Sequence, residues 1–542
     1  MNVIGRKVVC MVATALGICL VCGCGQWRAG KRSDDLASLE GLGRTIGSFV
    51  RVVSPETVRV EGYGLVSGLR GTGSAECPPR IRAYLTRYIR KQLPPGGALN
   101  VDEYINRSDT AVVFVEATMP AVASQGEYFD VLATALPRTQ TTSLEGGWLF
   151  ETELKIAGSF GVTTEILADA KGPIFTDKIG SFGANSRIGH IMAGGKVLSK
   201  YKVRLALARP DLKISNAIRN RLNGRFGMDT ARALRSGQIE LTIPARYKRR
   251  RQRFIAMVGT TYLTQDPAID EKRIATFVKR LAGSQDKLVS EVALEAIGNE
   301  SLGKLGVLLN SADEQVRLHA ARCMLNLGSD AGLTVLRQIA LNKNSPYRLD
   351  ALIAITAAAG HNDAVALCRL LLRDDDFVIR LAAYEQLRES DDATVLQEQI
   401  AGNFYLERIA QTDEKVIYVS RTGQPRIVLF GVPISCRGNI FLGSADGDIT
   451  INAPSGAEYV TIIREHPKRR GVIMRLRSSF DVGDIVRTLC DEPPKEGESG
   501  GGGLGVSYAD AIVLLKEMCD KGAVDADFVA GPMPNFGLNI KK

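Results

Sequence analysis

The chain has 542 residues, 45% of them hydrophobic and 24% charged, with a formal net charge of +10. This is the composition of ordinary folded protein with ample material for cores, and the length fits two to four domains. The net charge is modest for the length, so any polyanion-binding role has to come from a local run rather than from the chain as a whole.

The first 24 residues read as a secretory leader. Arg6 and Lys7 stand ahead of an apolar run from Val8 to Val21. A run of about 14 residues is too short to cross the roughly 30 Å hydrocarbon core as a helix, which favours a cleaved signal over an anchor. It ends in Val21-Cys22-Gly23-Cys24, which resembles a bacterial lipobox. In such signals the last cysteine receives a diacylglycerol, which would leave Cys24 as the first mature residue and the lipid-attachment site. Ordinary cleavage nearby is the other reading. Gly25, where an aspartate would retain the protein at the inner membrane, implies the outer membrane under the usual sorting rule. The six cysteines beyond the leader, Cys77, Cys323, Cys368, Cys436, Cys490 and Cys519, lack metal-ligand spacing. Most stand in apolar contexts typical of buried free thiols, although Cys490 and Cys519 flank a glycine run and could pair.

After a linker over residues 24–49, short apolar or alternating runs bounded by Gly, Pro, Ser and Asn predict strands at 111–117, 128–133, 203–207 and 239–243. Helices are predicted near 80–93 and 215–225. This mixture reads as α+β rather than a regular βαβ succession. The densest basic patch, Lys248 to Arg253, is read as a solvated run; nucleic acid is not supported, because no aromatic residues interleave it.

From about residue 268 the pattern turns helical. A frame of one cap-type residue followed by apolar residues at +3, +7 and +11 recurs at Asp286, Asp313, Asn344 and Asp376, at separations of 27, 31 and 32 residues. An arginine follows the +3 position at Arg317, Arg348 and Arg380. Such a period implies a helical solenoid, in which each helix pair buries its apolar face against its neighbours. The frame resembles HEAT-type repeats, placed at 268–405. Asp374 to Asp376 and Asp391-Asp392 read as acids at helix starts. Strands return at 415–419, 426–430, 459–463 and 472–476, and a helix is predicted at 508–520.

Chemistry is hard to place on this chain. The segment from Gly62 to Gly68 carries two glycines of a dinucleotide fingerprint, but the third is misplaced and Pro78-Pro79 interrupts the helix that should follow, so tight turns and close packing explain it better. The four histidines are His190, His319, His361 and His466. No zinc or nucleophile-triad motif accompanies them, and Asp446-Gly447-Asp448 reads as a turn rather than a calcium loop. No catalytic residue, cofactor site or metal site is expected.

The same glycine segment carries a different signal. Gly62, Tyr63, Gly64, Leu65, Val66, Gly68, Leu69, Gly71, Thr72 and Gly73 resemble the N-terminal signature of the bacterial flagellar P-ring protein family, with Ser74 where the family often carries an acid. Further segments at 111–120, 125–131, 143–149, 217–223 and 239–244 follow in the family's order, and so do 484–489 and 510–526 near the end. The resemblance implies strand-rich P-ring-like regions at 50–267 and 406–542, interrupted by the all-α HEAT-like solenoid. It also implies a non-enzymatic structural protein of the flagellar basal body. Such a protein forms a homo-oligomeric ring around the rod in the periplasm, beside L-ring-type proteins and near peptidoglycan. Two features depart from the family: the lipobox, which implies an outer-membrane anchor if Cys24 is acylated, and the repeats, which present a surface for an unknown protein. A non-flagellar envelope lipoprotein using the repeats as a binding module is the alternative.

Overall fold

The computed structural model describes residues 41–534, apart from 54–56, 75, 93–99, 121–122, 160–164, 180–185, 200–202, 284–286, 445–446, 466–470 and 494–501. The leader with Cys24, and also Asp286, Asp446 and His466, lie outside the described residues. The fold is mixed α+β.

After strand β1 (Val50–Val53), a closed six-stranded barrel forms from β2 (Val58–Ser67), β3 (Thr110–Met119), β4 (Tyr128–Ala135), β5 (Trp148–Ile156), β6 (Ala168–Pro173) and β7 (Ile188–Val197). Its order is β2-β3-β4-β7-β6-β5, with β5 returning to β2. Closure leaves no edge strand exposed. Strand β3 shows why its sequence is apolar almost throughout. Ala111, Val113, Val115 and Ala117 fill the barrel core, while Val112 and Phe114 on the opposite face lie under helices α1 (Pro79–Gln92) and α2 (Val101–Ile105). Helix α1 turns Ile81 and Leu85, one helical turn apart, onto that face.

Strands β8 (Val203–Leu207), β9 (Ala231–Arg235) and β10 (Gln238–Leu241) join β1 in a four-stranded antiparallel sheet of order β1-β8-β10-β9. Helix α3 (Leu212–Phe226) is capped by Asp211, whose carboxylate accepts from the Lys213 and Ile214 amides, and it buries Ile218, Leu222 and Phe226.

An all-α array follows: α4 (Arg251–Thr260), α5 (Pro267–Gly283), α6 (Lys287–Ile297), α7 (Leu302–Leu308), α8 (Glu314–Asn326), α9 (Asp330–Leu341), α10 (Arg348–Ala358), α11 (His361–Leu371) and α12 (Phe377–Glu389). Helices α6, α8, α10 and α12 lie in succession, with α5, α7, α9 and α11 packed against them. Asp313 and Asp376 cap α8 and α12 as the frame predicts. Asn344 does not cap. Helix α10 starts four residues later, because residues 342–347 form a turn in which the Asn342 and Ser345 side chains accept the amides of Asn344 and Tyr347. The recurring arginines tie each helix to the turn or helix before it: Arg317 donates to the Ser311 carbonyl at 2.7 Å, Arg348 to that of Ala340 at 3.1 Å, and Arg380 to that of Asp374 at 2.8 Å. These carbonyls lie in turns or near a helix end, where backbone acceptors lack helical partners. The reading of Asp391-Asp392 as helix-start acids is corrected, since both follow the end of α12 and Asp392 pairs with Arg369 at 2.7 Å. Asp374 is also no cap; it forms a buried pair with Arg348.

The remaining chain forms a five-stranded mixed sheet and a four-stranded meander around one core. The first contains β11 (Leu396–Ile400), β12 (Phe404–Ile409), β13 (Val416–Val419), β14 (Arg426–Phe430) and the last strand, β19 (Asp527–Ala530), in the order β11-β12-β14-β13-β19. The meander runs β15 (Ile440–Gly443), β16 (Ile449–Ala453), β17 (Val460–Glu465) and β18 (Ile473–Ser478). Helices α13 (Val482–Cys490) and α14 (Tyr508–Asp520) fill the core with Ile485, Val486, Leu489, Ile512 and Leu515. Cys490 and Cys519 are both free thiols, so the pairing entertained from sequence does not form. Cys490 is instead a fully buried apolar side chain whose pKa burial pushes up.

The chain divides into two compact units. One takes residues 56–201 with 393 onward, and so holds the barrel and the two final sheets. The other takes 202–392 with the described residues 41–53, and so holds the β1-β8-β10-β9 sheet, α3 and the helical array from α4 to α12. The division at 201/202 falls inside the stretch grouped from sequence as one region at 50–267.

Candidate functional site

The glycine-rich signature occupies β2 and the turn that leaves it. On this strand Val60 and Val66 face the barrel core, and Gly62 and Gly64 share their parity. A Cβ on Gly62 would stand 2.3 Å from the Glu153 carbonyl oxygen; on Gly64 it would meet Thr152 Oγ1 at 2.5 Å and Leu149 Cδ1 at 2.8 Å. Tyr63 and Leu65 point the other way, towards the cluster beneath α1. Gly68 and Gly71 have φ of +82° and +89°, the left-handed region that glycine enters without a steric cost. Leu69 is buried, and Thr72 Oγ1 donates to the Leu69 carbonyl at 2.7 Å and the Ser143 carbonyl at 3.0 Å. A Cβ on Gly73 would lie 2.1 Å from the Thr110 carbonyl. These positions build a seam and its exit turn, and α1 begins only at Pro79, so the segment is not laid out as a nucleotide cradle.

Sequence reasoning missed a second constellation, where the barrel meets the final sheets within the first unit. Asp130 accepts from the Ala193 amide at 2.7 Å, the Gly423 amide at 2.9 Å and the Thr422 hydroxyl. Arg421 donates to Asp177 at 3.2 Å and to the Gly531 carbonyl at 2.6 Å. His190 Nε2 lies 2.9 Å from the Arg421 carbonyl, and its ring meets Phe175 edge-on. Burial lowers the His190 pKa, which favours the neutral ring. Lys178 bonds Asp510 at 2.7 Å and also Glu145. Burial pulls its ammonium down, but those two carboxylates outweigh it and raise the pKa to about 12. The bonds that join the barrel to the final sheets, from His190–Arg421 to Lys178–Asp510, link residues 231 to 332 positions apart and leave no local pattern, so no spacing rule could have found them.

In the second unit the basic run proves to be built into the structure. Arg253 contacts both Glu291 and Glu295 and is only 15% exposed. Arg250 bonds Asn326, and its guanidinium stands 5.5 Å from the Tyr247 ring centre. Only part of the run faces solvent, among it Arg249, which pairs with Glu389 at 3.7 Å. The solvated-face reading therefore holds for Lys248 and Arg249 but not for Arg253. Glu291, fully buried, also accepts from Arg322 at 2.6 and 2.7 Å, with His319 Nδ1 at 2.6 Å. Burial alone would raise its pKa, yet Arg253 and Arg322 hold it well below the ordinary value. Among the described residues no group of three or more His, Cys, Asp or Glu could hold a metal ion, and no helix is long and apolar enough to cross a membrane.

A barrel seam of glycines, fixed internal clamps and a helical array together describe architecture, and comparison with known proteins points to one structural family. A model of the flagellar P-ring protein family matches residues 45–274. The chain is 31% identical over 224 residues to the flagellar P-ring protein of Desulfotalea psychrophila, covering 38% of this chain and 55% of that one. It is 30% identical over 259 residues to that of Campylobacter lari, covering 44% and 70% respectively. With that of Geotalea uraniireducens it is 27% identical over 290 residues, 49% and 68%. The chain belongs to the flagellar P-ring protein family. The matched model ends at residue 274, so the segments at 484–489 and 510–526 rest on their residue-level resemblance alone.

Proposed function

We propose that this protein is a structural component of the bacterial flagellar basal body, assembling with copies of itself into a periplasmic P-ring-like ring around the rod. The observation that carries this reading is the family match over 45–274, with the signature residues divided among the barrel seam, its exit turn and the face beneath α1. Rod and L-ring-type proteins are then its neighbours, and peptidoglycan the surrounding layer. Exposed sheet edges at β15 and β18, carrying Phe441 at 75% and Ile473 at 70% exposure, suit contacts that are completed only on assembly. Deleting the gene should abolish swimming, and basal bodies purified from the wild type should contain the chain. Swimming cells with intact rings after deletion would sink the proposal.

A second reading, a P-ring-like envelope lipoprotein outside the flagellum, is favoured by one feature: most of the helical array lies beyond the matched span. In that reading the HEAT-like helices bind another protein. Both readings accommodate a lipid on Cys24 as an outer-membrane anchor. Metabolic labelling with a radioactive fatty acid should mark the wild type and not Cys24→Ser; label in neither would eliminate the anchor.

A further inference from the structure

Helix α1 carries five cations, Arg80, Arg82, Arg87, Arg90 and Lys91, and no acid. Its apolar stripe is spent on the barrel through Ile81 and Leu85. The opposite side forms a groove with α2, lined by Pro79, Arg82, Thr86, Arg87 and Arg90, with Asp102 from α2. From Pro79 to Arg90 the helix rises about 16 Å, so the groove is elongated rather than a point site.

The cations in the groove are engaged to different degrees. Arg82 bonds Asn106 Oδ1. Arg90 pairs with Asp102 at 2.9 Å, but both side chains are more than half exposed, and such a pair contributes about 0–1 kcal/mol and exchanges readily. Arg87 is exposed. Asp102 also accepts from Thr86 at 2.9 Å, so the groove offers guanidinium donors beside one carboxylate acceptor and a hydroxyl.

We propose that this groove binds an extended acidic peptide segment of a partner protein. Planar guanidinium forks match carboxylates in bidentate geometry, and Arg82, Thr86 and Arg90 follow one another at i, i+4 and i+8 along the groove with Arg87 one turn before Arg90 at its flank, which suits several carboxylates on an extended chain. The Asp102 carboxylate can take a peptide N–H, which a purely anionic polymer does not offer. Among the described residues no aromatic ring lines the groove to stack on a sugar face, and its apolar lining, Pro79 and Ala83, is too small to insert deeply into a bilayer. The observations thus favour a peptide over an acidic glycan or a lipid surface.

The test uses the full mature chain and a fluorescent decaglutamate peptide, read by anisotropy at low and high salt. Binding is expected to be salt-sensitive and to weaken about tenfold or more in Arg87→Glu/Arg90→Glu. Arg87→Gln, a single change at an exposed position, should weaken binding less and keep the far-ultraviolet spectrum unchanged. A double change at the basic run, Lys248→Ala/Arg249→Ala, should leave binding as in the wild type. Equal binding by wild type and both α1 variants would overturn the proposal. Equal loss in the Lys248/Arg249 variant would overturn it too, by showing non-specific charge attraction. Anionic vesicles or soluble peptidoglycan fragments bound through these arginines, with no binding of the peptide, would overturn it in favour of that ligand.

Discussion

Glu291→Gln is expected to destabilise the second unit by about 3–5 kcal/mol, the usual cost of removing one partner from a buried ion cluster. The carboxylate is fully buried on α6 and accepts from Arg253 on α4, and from Arg322 and His319 on α8. Glutamine keeps the shape but withdraws the charge, which leaves Arg253 and Arg322, at 15% and 20% side-chain exposure, repelling each other, with Glu295 paired to Arg253 and Asp350 acting on Arg322 without a direct ion pair. Uncompensated buried charge, rather than lost packing, is what makes the change severe. The measurement is urea unfolding followed at 222 nm, where the helix-rich second unit dominates the signal. Glu271→Gln is the control: Glu271 is 74% exposed in its pair with Lys304 and should cost about 0.5 kcal/mol or less. A Glu291→Gln midpoint indistinguishable from that of Glu271→Gln would refute the account.

The same cluster predicts a pH dependence with a definite sign. Glu291 has a folded pKa well below its ordinary value of 4.5, so it binds its proton more weakly when folded than when unfolded. Its contribution is therefore fully present above the unfolded pKa and is lost as pH falls through the folded one. The gap between wild type and Glu291→Gln should be constant near neutrality and close progressively below about pH 4.5.

Much of the secondary structure was legible because its signals are local. Helices predicted near 80–93, 215–225 and 508–520 match α1, α3 and α14 to within three residues at each end. The caps at Asp313 and Asp376 were readable because an aspartate followed by helical apolar spacing has one economical use. Asn344 failed because Asn342 and Ser345, just beside it, offered competing side-chain acceptors to the same backbone. The basic run misled for a related reason. Arg253 and its neighbours look like a solvated patch until α6 brings Glu291 and Glu295 against them, and those acids lie 38 and 42 residues further on. Asp391-Asp392 show the limit of reading charge without direction, since an acid pair suits a helix start but here follows a helix end, rescued by Arg369. Barrel closure was beyond reach altogether, because pairing β5 back to β2 joins segments about 90 residues apart.

The second large effect lies on that closing pair. Strands β2 and β5 are in register at Val60–Ile156 and Glu61–Lys155, then again at Val66–Leu149 and Ser67–Trp148, with a register shift between. Gly62 and Gly64 sit in that gap, where the β5 backbone crowds β2. Gly62→Ala would place a methyl carbon 2.3 Å from the Glu153 carbonyl oxygen, a backbone atom on a strand that pairs with β6 at Glu153–Asp169. Unlike a side chain it has no rotamer to escape into, so the seam must open or the strand must shift. The expected cost is about 3 kcal/mol, at the upper end for overpacked cores. Two other glycines separate close approach from backbone freedom. Gly71, at φ +89° with nothing within 4 Å of its Cβ position, should cost about 1 kcal/mol as alanine. Gly224, on an exposed stretch of α3 with open space around it, should gain about 0.5–1 kcal/mol. Unfolding of the first unit, followed by Trp148 fluorescence, supplies the ranking for Gly62 and Gly71, and the helical signal at 222 nm supplies it for Gly224. If Gly62→Ala cost no more than Gly71→Ala, the signature glycines would be needed for turns alone, and the seam would have to be held by something other than the close approach of β2 and β5.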